Sequence, residues 1–212
     1  MQTIAIEIDA FATWRATEAM PRPDVSFVPP LDRRRLTGVE RAALSVAWQV
    51  KTDRELPVVF ASRWGEIGVT LKLMRQFHED GEVSPAGFSA SVHNAAPGAF
   101  SLLTGNHVPY TAIAARERSL EAGLLEALAL RREAIFVYAE EATPEFYLPA
   151  FGAPQEACAV AARIAPASGG RLRASFRHAD LPPVGFGDFA AFLEGRTDAF
   201  ATADLVLTRG DA

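Results

Sequence analysis

Cysteine is nearly missing from this chain: Cys158 is the only one in 212 residues. An intrachain disulfide framework and a thiolate zinc site are thereby excluded. Lysine is almost as scarce, with Lys51 and Lys72 alone. Basic runs are absent apart from Asp32-Arg33-Arg34-Arg35-Leu36, and the formal net charge is −5, so nucleic acid is not expected as a partner. No apolar run approaches the ~18 residues of a membrane span, and the N-terminus lacks a basic-plus-apolar secretion signal. A cytoplasmic protein without a membrane span is expected. The four histidines, His78, His93, His107 and His178, include no pair at metal-ligand spacing. Zinc needs three or four clustered donors, so no metal is expected. Neither G-x-x-x-x-G-K-S/T nor a strand followed by G-x-G-x-x-G occurs, which leaves no cofactor in prospect.

What is present is apolar enough to build a core: 49% of residues are hydrophobic and 22% charged. Residues 3–14 alternate and then turn continuous, which predicts a strand. Residues 20–36 hold four prolines and read as a loop. Residues 37–51 predict a helix, with Thr37 as its cap, Glu40 at the capping-box position, and Val39, Ala43, Val46, Ala47 and Val50 on one face. A short buried strand at 56–62 precedes a helix at 66–80 that ends at Gly81. Residues 83–100 read as a loop entering a helix that Gly105 ends. A strand at 110–115, a helix at 119–132, a strand at 134–141 and a loop at 142–154 follow. Residues 156–166 and 169–179 read as strands paired around Gly169-Gly170, with a short helix at 186–195 and a last strand at 201–210. Strand–helix alternation over 56–141 argues for an α/β sheet with helices on its faces. One domain, 1–212, is expected.

The stretch TAIAARERSLEAGLLEAL, residues 111–128, is a short apolar strand, a polar turn and an amphipathic helix. Several enzyme classes present a nucleophile in that layout. Here the turn holds Arg116, Glu117 and Arg118. Ser119 is its only hydroxyl, and E-R-S-L-E cannot make the tight turn that G-x-S-x-G makes. Ser119 therefore reads as a helix cap or first-turn residue, and Glu117 sits comfortably near a helix N-terminus.

Residues 83–130 resemble the ketosynthase segment of the thiolase superfamily. Ser84-Pro85, Asn94, Pro97-Gly98, Gly105 and Pro109 fall in that family's order, and LDRRRLTGVERAAL resembles its early basic loop and helix. The resemblance covers about residues 30–140, with 142–212 divergent. It implies a thiolase-like α/β fold, half of a ketosynthase, with a mixed sheet covered by helices. It also places Glu117 where the catalytic cysteine stands. A carboxylate there cannot form the acyl thioester, and nothing in the sequence activates it as a nucleophile. The family's two catalytic histidines and lysine belong to a C-terminal half near whose start this sequence stops.

The resemblance thus implies a disabled copy, a chain-length factor of the short kind that accompanies aryl polyene or xanthomonadin-type pigment pathways. Its partner would be a full-length ketosynthase in a heterodimer, which acyl carrier protein reaches through the complex. The strand Tyr110, Thr111, Ala112, Ile113, Ala114, with Arg116 and Arg118, would form the dimer interface, buried on both faces. Ala86, Gly87 and Phe88 would face the acyl tunnel, the two small residues leaving room for a long chain. Val69, Leu73 and Phe77 are either tunnel walls or an ordinary core face. The Arg116-Glu117-Arg118 cluster either pairs across the interface or is a solvated turn. Two rival readings stand beside this one: a homodimer that binds acyl chains or acyl carrier protein, and a serine acyltransferase or hydrolase using Ser119, or Ser91 with His93.

Overall fold

The structure, a computed structural model, describes residues 2–151, 155–169 and 172–210. The chain opens with β1 (Gln2–Arg15) and a proline-rich stretch holding one helical turn, α1 (Pro30–Arg33). Next come α2 (Gly38–Val50), β2 (Val58–Ala61), α3 (Ile67–Asp80), α4 (Pro85–Ser89), α5 (Ala95–Thr104) and β3 (Tyr110–Ile113). A 3-10 turn, Arg116–Arg118, leads into α6 (Ser119–Ala129) and β4 (Ala134–Glu140). The remainder comprises α7 (Leu148–Phe151), β5 (Cys158–Pro166), β6 (Leu172–Phe176), α8 (Phe186–Leu193), β7 (Ala199–Ala201) and β8 (Leu205–Arg209).

The local signals act as expected. Thr37 Oγ1 accepts the Glu40 N–H at 3.1 Å, and the Thr37 N–H donates to Glu40 Oε2 at 2.7 Å. That reciprocal pair starts α2. Gly81 at φ 74 and Gly105 at φ 68 stop α3 and α5 in a left-handed conformation that glycine adopts without a Cβ clash.

One eight-stranded sheet runs in the order β3-β2-β4-β5-β1-β6-β8-β7. The pairs β2–β3 and β2–β4 are parallel and the rest antiparallel, so the sheet is mixed. All seven residues of β4 are buried. Its alternation sends Ile135, Val137 and Ala139 towards α2 and α5, and Phe136 and Tyr138 towards α6 and α8. Two apolar cores result, one on each face, as the α/β reading requires. Among the described residues no helix is long and apolar enough to cross a membrane.

One expectation needs correction. The strands at 156–166 and 169–179 do not pair with each other, because β1 lies between them. Ile6 of β1 partners Pro166 on one edge and Leu172 on the other, so the chain hops across β1 and keeps its direction. A hairpin turn would have reversed it. Gly170, half of the proposed turn, lies outside the described residues. The strand expected to pair across the dimer is β3. Among the described residues it is an edge strand paired only to β2, with Tyr110 and Thr111 exposed.

Candidate functional site

Glu117 stands in the 3-10 turn between β3 and α6, at the C-terminal end of the parallel strands. The turn is held from within. Arg116 takes φ 53, an uncommon conformation for a residue with a side chain. Ser119, 1% exposed, accepts the Ala115 N–H at 2.9 Å and donates to the Arg116 carbonyl at 2.7 Å. The Ser119 hydroxyl is therefore a structural brace on the turn. The Ser91–His93 pairing does not form either. Ser91 Oγ donates to the Phe88 carbonyl at 2.8 Å, while His93 Nε2 bonds the Ser62 carbonyl at 3.0 Å.

The two arginines that flank Glu117 diverge. Arg118 turns inward, donating to Glu121 Oε2 at 3.0 Å and to the Leu181 carbonyl at 2.9 Å. Arg116 is 89% exposed, with Nε 3.6 Å from Glu117 Oε2. The closer partner of Glu117 comes from elsewhere: Arg63, in the loop after β2, donates to Glu117 Oε1 at 2.6 Å. Glu117 accepts a backbone hydrogen bond, and the positive charges of Arg63 and Arg116 add to it. Together they hold its carboxyl below the ordinary range, ionised at neutral pH.

Beside Glu117 lies a cleft of about 530 Å³, lined among others by Arg15, Arg63, Arg116, Tyr138, Cys158 and Phe186. The one cysteine of the chain is thus in the cleft beside position 117. Burial and the neighbouring Glu140 push its thiol up to about 12. A thiol that stays protonated at neutral pH is a poor nucleophile.

Sequence reasoning passed over the groups that support this region. Glu140 and Glu141, at the end of β4, clamp the loop between β2 and α3. Fully buried Glu140 accepts the backbone N–H of Arg63, and that of Trp64 at 3.4 Å. Glu141 accepts the Gly68 N–H at 2.5 Å. Glu66, 3% exposed, accepts the Thr37 hydroxyl at 2.9 Å, while its Oε2 has no partner. Burial lifts the Glu66 carboxyl to about 8 and that of Glu140 to about 7. The signal was the Glu140-Glu141 doublet closing an apolar strand, since a buried carboxylate must find donors. Among the described residues no cluster of acidic, histidine or cysteine side chains is placed to hold a metal ion.

The tunnel and interface candidates lie elsewhere. Ala86 lines a surface groove of about 540 Å³ with Ala90, Ala95, Gly98, Ala99 and Leu102. Gly87 faces away from it, against Leu73, whose Cδ2 would sit 3.0 Å from an added Cβ. Phe88 is 61% exposed. On α3 only Ile67 and Leu71 are buried, and Phe77 is 61% exposed, so Val69, Leu73 and Phe77 are not a common core face. Exposed Leu102 and Tyr110 extend the apolar surface towards the free edge of β3. Ala112 and Ile113 are half-buried, and Ala114 is exposed.

Residues 10–184 match the family described as Beta-ketoacyl synthase, N-terminal domain. That span is wider than the 30–140 on which the sequence resemblance rests. No curated protein matches the chain. A solved ketosynthase (ApeO) in complex with its chain length factor (ApeC), from Xenorhabdus doucetiae, is similar at 22% identity and a TM-score of 0.78. The match covers 96% of this chain and 99% of that one. A type II PKS acyl-carrier protein in complex with its ketosynthase bound to the hexaketide (AntDE:AntF) is similar at 11% identity and a TM-score of 0.56. It covers 72% of this chain and 56% of that chain. At these identities the likeness shows the fold, which is thiolase-like with a mixed sheet covered by helices.

Proposed function

The chain belongs to the Beta-ketoacyl synthase, N-terminal domain family, and from that premise we propose that it is a non-catalytic chain-length factor. It docks on an active ketosynthase, acyl carrier protein reaches it through that complex, and it shapes the tunnel that receives the growing acyl chain. The observation that carries this reading is the nucleophile turn. A carboxylate ion-paired to Arg63 occupies it, and the nearest thiol is buried and protonated. Such a turn cannot form an acyl thioester. The solved complex of a ketosynthase with its chain length factor supports the same assignment.

The docking surface is the free edge of β3 with the apolar flank beside it. Tyr110, Thr111, Ala112, Ile113 and Ala114 offer backbone groups to a partner strand, and Arg116 lies beyond them. Phe88 and Leu102 supply exposed apolar area. An uncovered edge of this kind invites strand addition. Arg118 contributes indirectly, by fixing the turn from inside.

Ala86 is the sharper probe of tunnel shape. A bulky residue at Gly87 would first strike Leu73, whereas Ala86 opens into the groove. Ala86→Phe, reconstituted with the ketosynthase and acyl carrier protein, is expected to shorten the product while the two chains still co-purify. Unchanged product length in an intact complex would remove Ala86 from the tunnel. Acyl elongation by this chain alone would remove the proposal.

A further inference from the structure

The cleft over Glu117 gathers more cationic chemistry than a solvated turn requires. Three arginines reach it from separate elements: Arg15 at the end of β1, Arg63 after β2 and Arg116 before α6. Arg15 forms no ion pair among the described residues, and its guanidinium lies 5.1 Å over the Phe186 ring. Gly187 leaves it space, since a Cβ there would come within 3.2 Å of Arg15 Nη2. The Arg63 side chain is 24% exposed and lies 4.4 Å over Trp64, and its buried Nε has no hydrogen-bond partner. Glu117 sits between Arg63 and Arg116, and Glu156 also lines the cleft, so cations exceed carboxylates by one.

At 43% exposure, the Glu117 carboxylate gains little from its pairs, because water competes for the same donors. An oxyanion from solution can take the same guanidiniums in a forked geometry, and it can also reach Arg15. We propose that this cleft binds an anionic ligand and that Glu117 is its resident, tethered anion, holding the Arg63–Arg116 seat until the ligand displaces it. Tyr138, Cys158, Val184 and Phe186 give the cleft an apolar side. The ligand class is therefore a slender molecule with an oxyanion head and an apolar body. The cleft is lined by residues of this chain, so anion binding is tested on the chain by itself.

Trp64, under Arg63, supplies a reporter. The full chain is titrated with acetate, hexanoate and inorganic phosphate at constant ionic strength, with chloride as the reference salt, and tryptophan emission is followed. Saturable change with the oxyanions but not with chloride is expected, and Trp64→Phe abolishes it. Hexanoate binds more tightly than acetate. Glu117→Gln tightens every oxyanion by about fivefold, the upper range of an exposed ion pair. Arg63→Met and, at the less buried position, Arg15→Met each weaken binding about tenfold or more, as loss of a charge-assisted hydrogen bond does. Circular dichroism confirms that each variant is folded. If Glu117→Gln leaves affinity unchanged, or chloride gives the same response, the inference is overturned. Equal affinity for hexanoate and acetate overturns the apolar part of the ligand assignment.

Discussion

The two sides of strand β2 are built on opposite terms. On one side lies β4, with all seven residues buried and helices packed on both faces. On the other lies β3, with Tyr110 and Thr111 exposed and an edge that no strand among the described residues covers. The same parallel ladder joins both to β2. The difference teaches where the chain completes its own structure and where it leaves backbone and apolar surface uncovered. The helices show the same contrast: α2 buries nine of its residues, whereas α3, one residue longer, buries two.

The comparison breaks most severely if the closed side is loosened. Gly123 brings α6 against the sheet. A Cβ there would lie 2.6 Å from Ala61 Cβ and 2.8 Å from Phe136 Cε2. Neither neighbour can retreat in a core packed on both faces. Gly123→Val is expected to cost about 3 kcal/mol in urea denaturation, at the upper end of overpacking penalties. An unchanged midpoint would mean that α6 stands farther from β2 and β4 than the structure places it.

Between the two sides, the loop from β2 to α3 is clamped by buried carboxyls, and pH tests the clamp. The Glu66 carboxyl moves from its usual 4.5 to about 8 in the folded chain, and that of Glu140 moves to about 7. Through that interval the unfolded chain has released protons that the folded chain retains. Stability therefore falls as pH rises from about 4.5, and Glu66 extends the fall from about 7 to 8. Glu66→Gln keeps an acceptor for the Thr37 hydroxyl and removes the proton. It is expected to flatten the profile between those last two values, and to raise stability at pH 8 by an amount on the order of 1 kcal/mol or more. A wild-type profile already flat there would show that Glu66 is ionised in the folded chain.

How far the sequence disclosed all this depended on how local the physics was. The α2 capping box needed only Thr37 and Glu40, and both hydrogen bonds formed as read. The position of Glu117 at a strand–helix turn needed only the local pattern and family order. The partners of Glu117 were another matter: Arg63 is 54 residues away in sequence and meets it only because β2 and β3 run parallel in register. The hairpin failed for the same reason. Both strands prefer β1, and no local signal distinguishes a turn from a hop across a third strand. Arg118, read as an interface charge or part of a solvated turn, bonds Glu121 and the Leu181 carbonyl, and the second partner is 63 residues away in sequence.

The most informative substitutions are those expected to do least to this chain alone. Thr111→Lys puts a charge on the free strand, and Leu102→Ser removes a side chain that is 87% exposed. Surface changes of this kind cost at most about 0.5 kcal/mol. Each variant should therefore melt close to wild type, in contrast to Gly123→Val. If β3 is completed by a ketosynthase strand, the lysine blocks strand addition as edge charges do in natural sheets. The serine removes apolar area beside it. The pair should abolish co-purification with the ketosynthase while leaving the isolated fold intact. Retained association would place the partner elsewhere on the molecule, and a large loss of stability would show that the edge already serves this chain's own core.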